Sequence, residues 1–489
     1  MKSEGKSHVN VRKATPTSRV MVVAIMVSMV AFLDGSVVNL ALPSMAKDLG
    51  GGLTLQQWVV DAYLLAFGAL VLPGGSISDL IGRVPVMRFG LVAFGVGSTL
   101  AAVAPSPAIL ITARSIQGLG GAFLVPGSLA LINSAFDRAH QPAAIGSWTG
   151  WTGTAIALGP LLGGLTVDFL SWRWIYALSA IPMVIGFALT FWLCPVRRSS
   201  EHARVDFAGA VLSAVGFTAT VYALIESQRH AWTDPVVAAS ILGGLAALLA
   251  FVLWQRRAPH PLVPLQLFAI RNFAGGNLAT ALIYGGLSVG SLTVALYTQE
   301  VAGYSATAGG LATVPIPIMS FLFAKRVGAV TARSGPWIFL ISGPALAAVG
   351  LLLIRPNGHA FNVVTQLLPG ITLLATGMVA TLTPLTSISL SAVEPARSGI
   401  GSAINSAVSR LAGLMAVACM GLIAAGPLND ASFARLMHVS AVLLIGGAVV
   451  GGLGTTNPAA PTEPISLRRF RPVPRPAGRP TQRAVSRAA

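Results

Sequence analysis

The chain has 489 residues, 54 % of them hydrophobic and 10 % charged, with a mean hydropathy of +0.75. A soluble domain carries about 25 % charged residues to face water, so a soluble particle of this size is excluded and the chain reads as an all-α integral membrane protein. The formal charge of +17, from 32 Lys and Arg against 15 Asp and Glu, raises nucleic acid as a partner, a reading that the placement of the charges removes below. Two cysteines, Cys194 and Cys419, and seven scattered histidines form neither a disulfide framework nor a metal-ligand spacing, so no metal or cofactor is expected.

A bilayer core of about 30 Å takes roughly 20 apolar residues as a helix. Hydropathy then predicts fourteen spans, over 20–42, 56–74, 86–105, 108–133, 144–167, 173–194, 206–226, 235–254, 274–299, 306–324, 336–354, 361–388, 400–424 and 434–455. The first follows basic residues, as a secretory signal would, but its length and the spans behind it make it a transmembrane helix. The organisation expected is a cytoplasmic segment 1–19, a six-helix bundle 20–194, a linker 195–273 with two inserted spans, a second six-helix bundle 274–455 and a tail 456–489. That tail holds seven prolines and seven arginines, and is expected to be disordered with anionic lipid as its contact.

With the N-terminus cytoplasmic, 25 of the Lys and Arg fall on the cytoplasmic side, five fall outside, and Arg114 and Arg410 lie within spans. This asymmetry supports a multi-pass protein of the cell membrane with both termini cytoplasmic, and it accounts for the basic charge without nucleic acid. An internal echo accompanies it. Gly75, Asp79, Gly82 and Arg83 follow span two, while Gly328, Arg333 and Gly335 follow span ten. Ile145-Gly146-Ser147 opens span five, and Ile400-Gly401-Ser402 opens span thirteen. Two related halves around spans seven and eight would produce this, a construction found in secondary transporters.

Ionisable side chains inside a membrane are costly and mark function by default. Asp34, Asp61, Arg114 and Arg410 qualify. At about 1.5 Å of rise per residue, Asp34 lies roughly 9 Å, Asp61 roughly 7 Å and Arg114 roughly 9 Å from the outer face. The three share one level, which makes Asp34, with Asp61 as a second candidate, a proton or cation site modulated by Arg114. A static ion pair is the alternative for Asp34, and a place in the wet outer mouth the alternative for Asp61. In span five, Gly150, Gly153, Gly159, Pro160, Gly163 and Gly164 permit close helix approach and a bend. In the turn Gly75–Arg83, Asp79 can cap a helix or pair with Arg83 or Arg138. Enzyme motifs are nearly absent: Gly286-Leu-Ser288-Val-Gly290 matches a nucleophile elbow but lies within a span, and no nucleotide-binding P-loop occurs.

Together these segments resemble the major facilitator superfamily, in its fourteen-helix drug:proton antiporter branch. Leu33-Asp34-Gly-Ser-Val-Val-Asn39-Leu-Ala-Leu-Pro43 is similar to the branch's first-helix signature and Trp58-Val-Val-Asp61-Ala-Tyr63 to its second-helix run. Arg114-Ser-Ile-Gln117-Gly118 resembles the fourth-helix motif, Gly159-Pro160-Leu-Leu-Gly163-Gly164 the fifth-helix antiporter motif and Trp172-Arg173-Trp174 the sixth-helix motif, with Ser179 where Asn is usual. The Gly75–Arg83 turn is similar to the superfamily loop, although Leu80 and Val84 stand where basic residues are usual.

The resemblance implies two six-helix bundles with two inserted helices, and export by alternating access. It places Asp34 and Arg114 in proton coupling and the fifth-helix motif between the halves. The cavity is expected to be lined by Asn39, Tyr63, Gln117, Tyr284, Tyr297, Gln299 and Asn405, a set suited to amphipathic or aromatic compounds, neutral or monocationic. Protons and a small-molecule substrate are the expected partners of a monomeric carrier. A dedicated exporter of one endogenous metabolite is the alternative, and a non-transporting receptor a more distant one.

Overall fold

The computed structural model describes residues 17–136, 141–193, 206–393 and 398–456; the tail and the loop carrying Arg138 lie outside the described residues. The elements in chain order are α1 (Thr17–Leu49), α2 (Gly52–Ile81), α3 (Arg83–Ala102), α4 (Pro107–Ala135), α5 (Gln141–Phe169), α6 (Trp174–Leu189), α7 (Phe207–Glu226), α8 (Pro235–Arg257), α9 (Arg271–Glu300), α10 (Ala306–Ala312), α11 (Pro315–Ser334), α12 (Trp337–Leu353), α13 (Leu368–Ser391), α14 (Ser398–Ala418), α15 (Met420–Ala424) and α16 (Asp430–Gly454). No strand occurs among the described residues. In a bilayer each backbone N–H and C=O must find its partner within its own segment, which is why apolar runs of this length fold as helices.

Twelve described segments are long and apolar enough to cross a membrane, against the fourteen read from hydropathy. Of the other two, α12 is a shorter apolar helix of 17 residues, and α5, at 29, includes positions whose side chains are not described. Three predicted spans are not continuous helices. Span ten breaks between α10 and α11, where Pro315 and Pro317 remove two backbone donors. The twelfth begins with a π turn, Val363–Leu367, just ahead of Pro369. Span thirteen breaks at Cys419, and α15 ends on Ala425 and Gly426, both at positive φ.

The echo in the sequence has a packing counterpart. Contacts of α3 with α4, α2 with α4, α1 with α6 and α3 with α6 recur as those of α12 with α13, α11 with α13, α9 with α16 and α12 with α16. Gly82 and Gly335 both close their helices at positive φ, 113° and 82°, which glycine adopts without a Cβ penalty. Helices α7 and α8 pair with each other, and α7 rests on α2 and α14.

The two sets of helices, α1–α6 and α9–α16, meet through α5 on α10, α2 on α14 and α1 on α9. A methyl group on Gly164 would stand 2.6 Å from the Ala306 carbonyl oxygen, and one on Gly310 2.5 Å from that of Pro160. The Asp168 carboxylate accepts from the backbone N–H groups of Ala306 (3.1 Å) and Thr307 (2.7 Å), capping α10 from the opposite set. Gln57 donates to the Val417 carbonyl (2.7 Å), and Gln56 donates to Glu300. The bonds of Asp168, Gln56 and Gln57 lie toward the face opposite the start of α1 and the end of α16, while α2 and α14 stay in contact to mid-helix, where Gly68 meets Leu411.

Candidate functional site

A cavity of about 2750 Å³ lies between the two sets. Its wall runs from Asn39 and Leu161, beneath the sealed face, to Ser78, Pro259 and Gln266 near the face carrying the start of α1. The cavity therefore opens toward the face carrying the start of α1 and is closed on the other.

At its inner wall sits a buried polar knot. Arg114 on α4 is 2 % exposed and Asp34 on α1 is 1 % exposed, and the Arg114 Nη1 donates to Asp34 Oδ2 at 2.6 Å. The same nitrogen donates to Gln117 Oε1 (2.8 Å), and Nε donates to the Val59 carbonyl (3.0 Å). Gln117 Nε2 donates to Asp34 Oδ1 (3.2 Å) and to the Ser98 hydroxyl (2.9 Å). The guanidinium also stacks on Tyr63, 4.6 Å from the ring centroid. Buried charges persist when paired and supplied with further hydrogen bonds, and this knot meets both conditions.

Asp61 does not join it, although depth places it at the same level. Its carboxylate is fully buried and neither oxygen has a hydrogen-bond partner among the described residues. Residues 59 and 63 share a helix face because they are one turn apart, while Asp61, about 200° round from each, points away. Its burial also removes it from the open outer mouth.

Of the residues expected to line the cavity, Asn39, Tyr63 and Tyr284 do so. The other four lie elsewhere among the described residues. Gln117 is fully buried in the knot. The Tyr297 hydroxyl donates to Asp430 (2.5 Å) and accepts from the backbone of Asn357 (3.1 Å) and Gly358 (3.0 Å), so it anchors the sealed face. Gln299 borders a separate shallow pocket there, beside Glu300 and Asp168. Asn405 donates to Asn277 (3.2 Å) and Thr280 (2.9 Å), joining α14 to α9 behind the wall.

Gly159, Gly163 and Gly164 fall where helices touch, whereas Gly150 and Gly153, expected to permit close approach, have no neighbouring helix among the described residues within reach of a Cβ. A methyl on Gly159 would collide with the Ser36 hydroxyl at 1.8 Å, and one on Gly163 would stand 2.9 Å from the Val37 carbonyl. With Gly164 against α10 and Pro160 on the cavity wall, α5 contacts α1 and the opposite set at once. Gly150 and Gly153 line the cavity. Gly75 does too; Gly82 closes α2, and Arg83 donates to the Ala130 carbonyl (2.6 Å). The side chain of Asp79 lies outside the described residues. Gly286 and Gly290 seat α9 against Ser440 and Leu351, which accounts for the nucleophile-elbow pattern as helix packing.

Sequence reasoning singled out Arg410 but gave it no role. It lines the cavity from α14, its guanidinium carbon 3.7 Å from the centroid of Phe67 on α2. The bond from Gln56 to Glu300 was not foreseen: an acid and an amide 244 positions apart carry no local pattern.

A family model described as Major Facilitator Superfamily matches residues 24–417. The chain is 34 % identical to the puromycin resistance protein pur8 of Streptomyces alboniger over 83 % of this chain and 81 % of that one. It is 32 % identical to the multidrug resistance protein Stp of Mycobacterium tuberculosis over 81 % and 74 %, and 32 % identical to the cephamycin export protein CmcT of Amycolatopsis lactamdurans over 83 % and 85 %. Among solved structures, a POT family transporter in complex with a thioalcohol-conjugated peptide superposes with a TM-score of 0.68 at 14 % identity, over 89 % of this chain and 94 % of that one; this likeness concerns the fold alone.

Proposed function

The chain belongs to the major facilitator superfamily, and on that premise we propose that it exports amphipathic or aromatic small molecules, antibiotics among them, in exchange for protons. The observation that carries this reading is the Asp34–Arg114 knot, buried in the bundle behind a large cavity that opens on one face only. The names of the relatives as resistance and export proteins support the substrate class.

In the mechanism we put forward, a proton entering from outside reaches Asp34 and weakens its pairing with Arg114, and substrate leaves outward. The protonated carrier reorients, loses its proton to the cytoplasm and rebinds substrate. Gly164 on α5 and Gly310 on α10 form the moving contact, since only residues without a Cβ let the two helices lie this close. Asp61 is a second candidate proton carrier, by virtue of its buried and unpartnered carboxyl oxygens.

The same reading has a monomeric, multi-pass protein of the cell membrane with fourteen spans and both termini cytoplasmic, so that the open face is cytoplasmic. Its bundles cover 20–194 and 274–455, the inserted pair lies within 195–273, and the tail meets anionic lipid. A dedicated exporter of one cell-made metabolite is the second reading, favoured by the similarity to a protein named for cephamycin export. The test is efflux from proteoliposomes under an imposed proton gradient. Wild-type flux is expected to collapse with an uncoupler and in Asp34→Asn; an Asp34→Asn protein that keeps gradient-driven flux would sink the coupling assignment.

A further inference from the structure

We propose that Arg410 is the binding site for an acidic group, so that the substrates of this carrier are aromatic or amphipathic anions. The inference rests on the carrier reading above and replaces the neutral or monocationic cargo expected from sequence. Three observations point to it.

The first is what surrounds the guanidinium. Its central carbon lies over the Phe67 ring, 3.7 Å from the centroid, and a cation–π contact of this kind consumes none of the guanidinium N–H donors. Among the described residues those donors meet no carboxylate, amide or carbonyl oxygen. A guanidinium fork of this kind donates to a carboxylate or sulfonate in the two-bond geometry that gives the strongest side-chain hydrogen bonds, and to an ionised phenol through its one oxygen.

Charge balance over the cavity is the second. Its described lining holds Arg114, Arg256, Arg410 and His260 against one carboxylate, Asp206. Asp206 is already taken, accepting from Gly209 N–H, Trp254 and Gln255, each at 2.8 Å. Arg114 is neutralised by Asp34. Arg410 is left as the uncompensated charge at membrane depth. A cation held there without a partner is costly, and the cost is greatest when the cavity closes around it and sheds water. An anion carried on Arg410 removes that cost, so cargo favours the occluded step that the unloaded carrier resists.

The third is the wall beside it. Tyr63, Phe67 and Tyr284 line the same cavity as Arg410. An acid group on an aromatic body therefore meets a charge and an aromatic surface together. The proton and the substrate anion occupy different groups, Asp34 and Arg410. Their coupling runs through reorientation rather than competition for one carboxylate.

The test uses the full chain and three probes with one ring system: pyrenesulfonate, pyrenemethanol and pyrenylmethyl-trimethylammonium. Binding to purified protein is followed by energy transfer from tryptophan, and transport by counterflow in proteoliposomes. Wild-type protein is expected to bind the sulfonate about tenfold or more tightly than the ammonium probe, the scale of one charge-assisted pair. Arg410→Gln should lose that preference while binding pyrenemethanol within about twofold of wild type, and Arg410→Lys should keep part of it as a point charge without the fork. Sulfonate binding that is absent, no stronger than that of the ammonium probe, or unchanged in Arg410→Gln overturns the proposal. Because the first readout is the selectivity of the wild type itself, it stands even if a variant misfolds. Sulfonate bound through Arg410 with no counterflow of any probe would instead overturn the carrier reading and leave the anion site in place.

Discussion

Two arginines from different helices, Arg114 on α4 and Arg410 on α14, pack on rings one turn apart on α2 and live in opposite circumstances. Arg114 stacks on Tyr63 and Arg410 on Phe67, residues four apart on α2. Around Arg114, Asp34, Gln117 and the Val59 carbonyl take the in-plane donors, and the whole group is sealed from solvent. Around Arg410, among the described residues, only the ring makes a close polar or π contact, and the cavity lies beyond it. The first arrangement is what a fold needs to keep an ion inside a bundle. The second is what a binding site needs to leave an ion available. Two arginines on neighbouring aromatic rings thus divide, on the proposals above, into a coupling centre in one set of helices and a recognition surface in the other.

Breaking the sealed pair should give the largest effect. Arg114→Gln or Asp34→Ala removes one partner of a buried ion pair, which costs about 3–5 kcal/mol because the other charge is left uncompensated. Thermal or denaturant unfolding in detergent should register the full loss for either single variant. The double variant Asp34→Leu with Arg114→Met replaces both charges by apolar groups and should recover most of that stability, while remaining inactive in gradient-driven transport. A double variant as unstable as the singles would mean that the knot is held by Gln117 and Val59 rather than by the pair.

The comparison sharpens in double-mutant cycles of each arginine with its ring. A desolvated cation–π contact is worth about 2 kcal/mol and an exposed one about 0.5–1 kcal/mol. The cycle of Tyr63→Leu with Arg114→Gln should therefore report a coupling larger than that of Phe67→Leu with Arg410→Gln. Both rings belong to the same buried cluster, so the packing lost with the ring cancels within each cycle. Equal couplings would show that Arg410 is as desolvated as Arg114 and would weaken the distinction drawn here.

The sequence made much of this legible because membrane helices obey one-dimensional rules. Rise per residue placed Asp34 and Arg114 at one depth, and they are in contact. Depth is only one coordinate, however. Asp61 shares the level but not the azimuth: Val59 and Tyr63 face Arg114, and a residue two positions from each faces the other way. The same limit separated Asn39, Tyr63 and Tyr284, which line the cavity, from Tyr297 and Gln299, which lie at the far end of α9 in the sealed face. Gln117 was legible as polar and intramembrane, but only the position of Asp34 decides that it turns into the knot rather than the cavity. Gly159, Gly163 and Gly164 were readable as a close-approach surface; that the first two admit α1 and the third α10 depends on how the helices dock, for which the chain carries no local signal.

The smallest expected effect is the most telling about Arg410. Removing a charge that has no acceptor among the described residues leaves none of them uncompensated, unlike the loss of Arg114. Arg410→Gln should unfold within about 0.5 kcal/mol of wild type, the range of substitutions away from buried networks, and relief of a costly intramembrane charge pushes any change toward stabilisation. Unfolding measured without substrate checks this. A loss on the scale of the Arg114 variants would mean that Arg410 is part of the scaffold, and the contrast between the two arginines would then reduce to a difference of exposure. Stability kept while sulfonate affinity falls would separate the two roles, because a residue that recognises cargo contributes to binding without contributing to the fold.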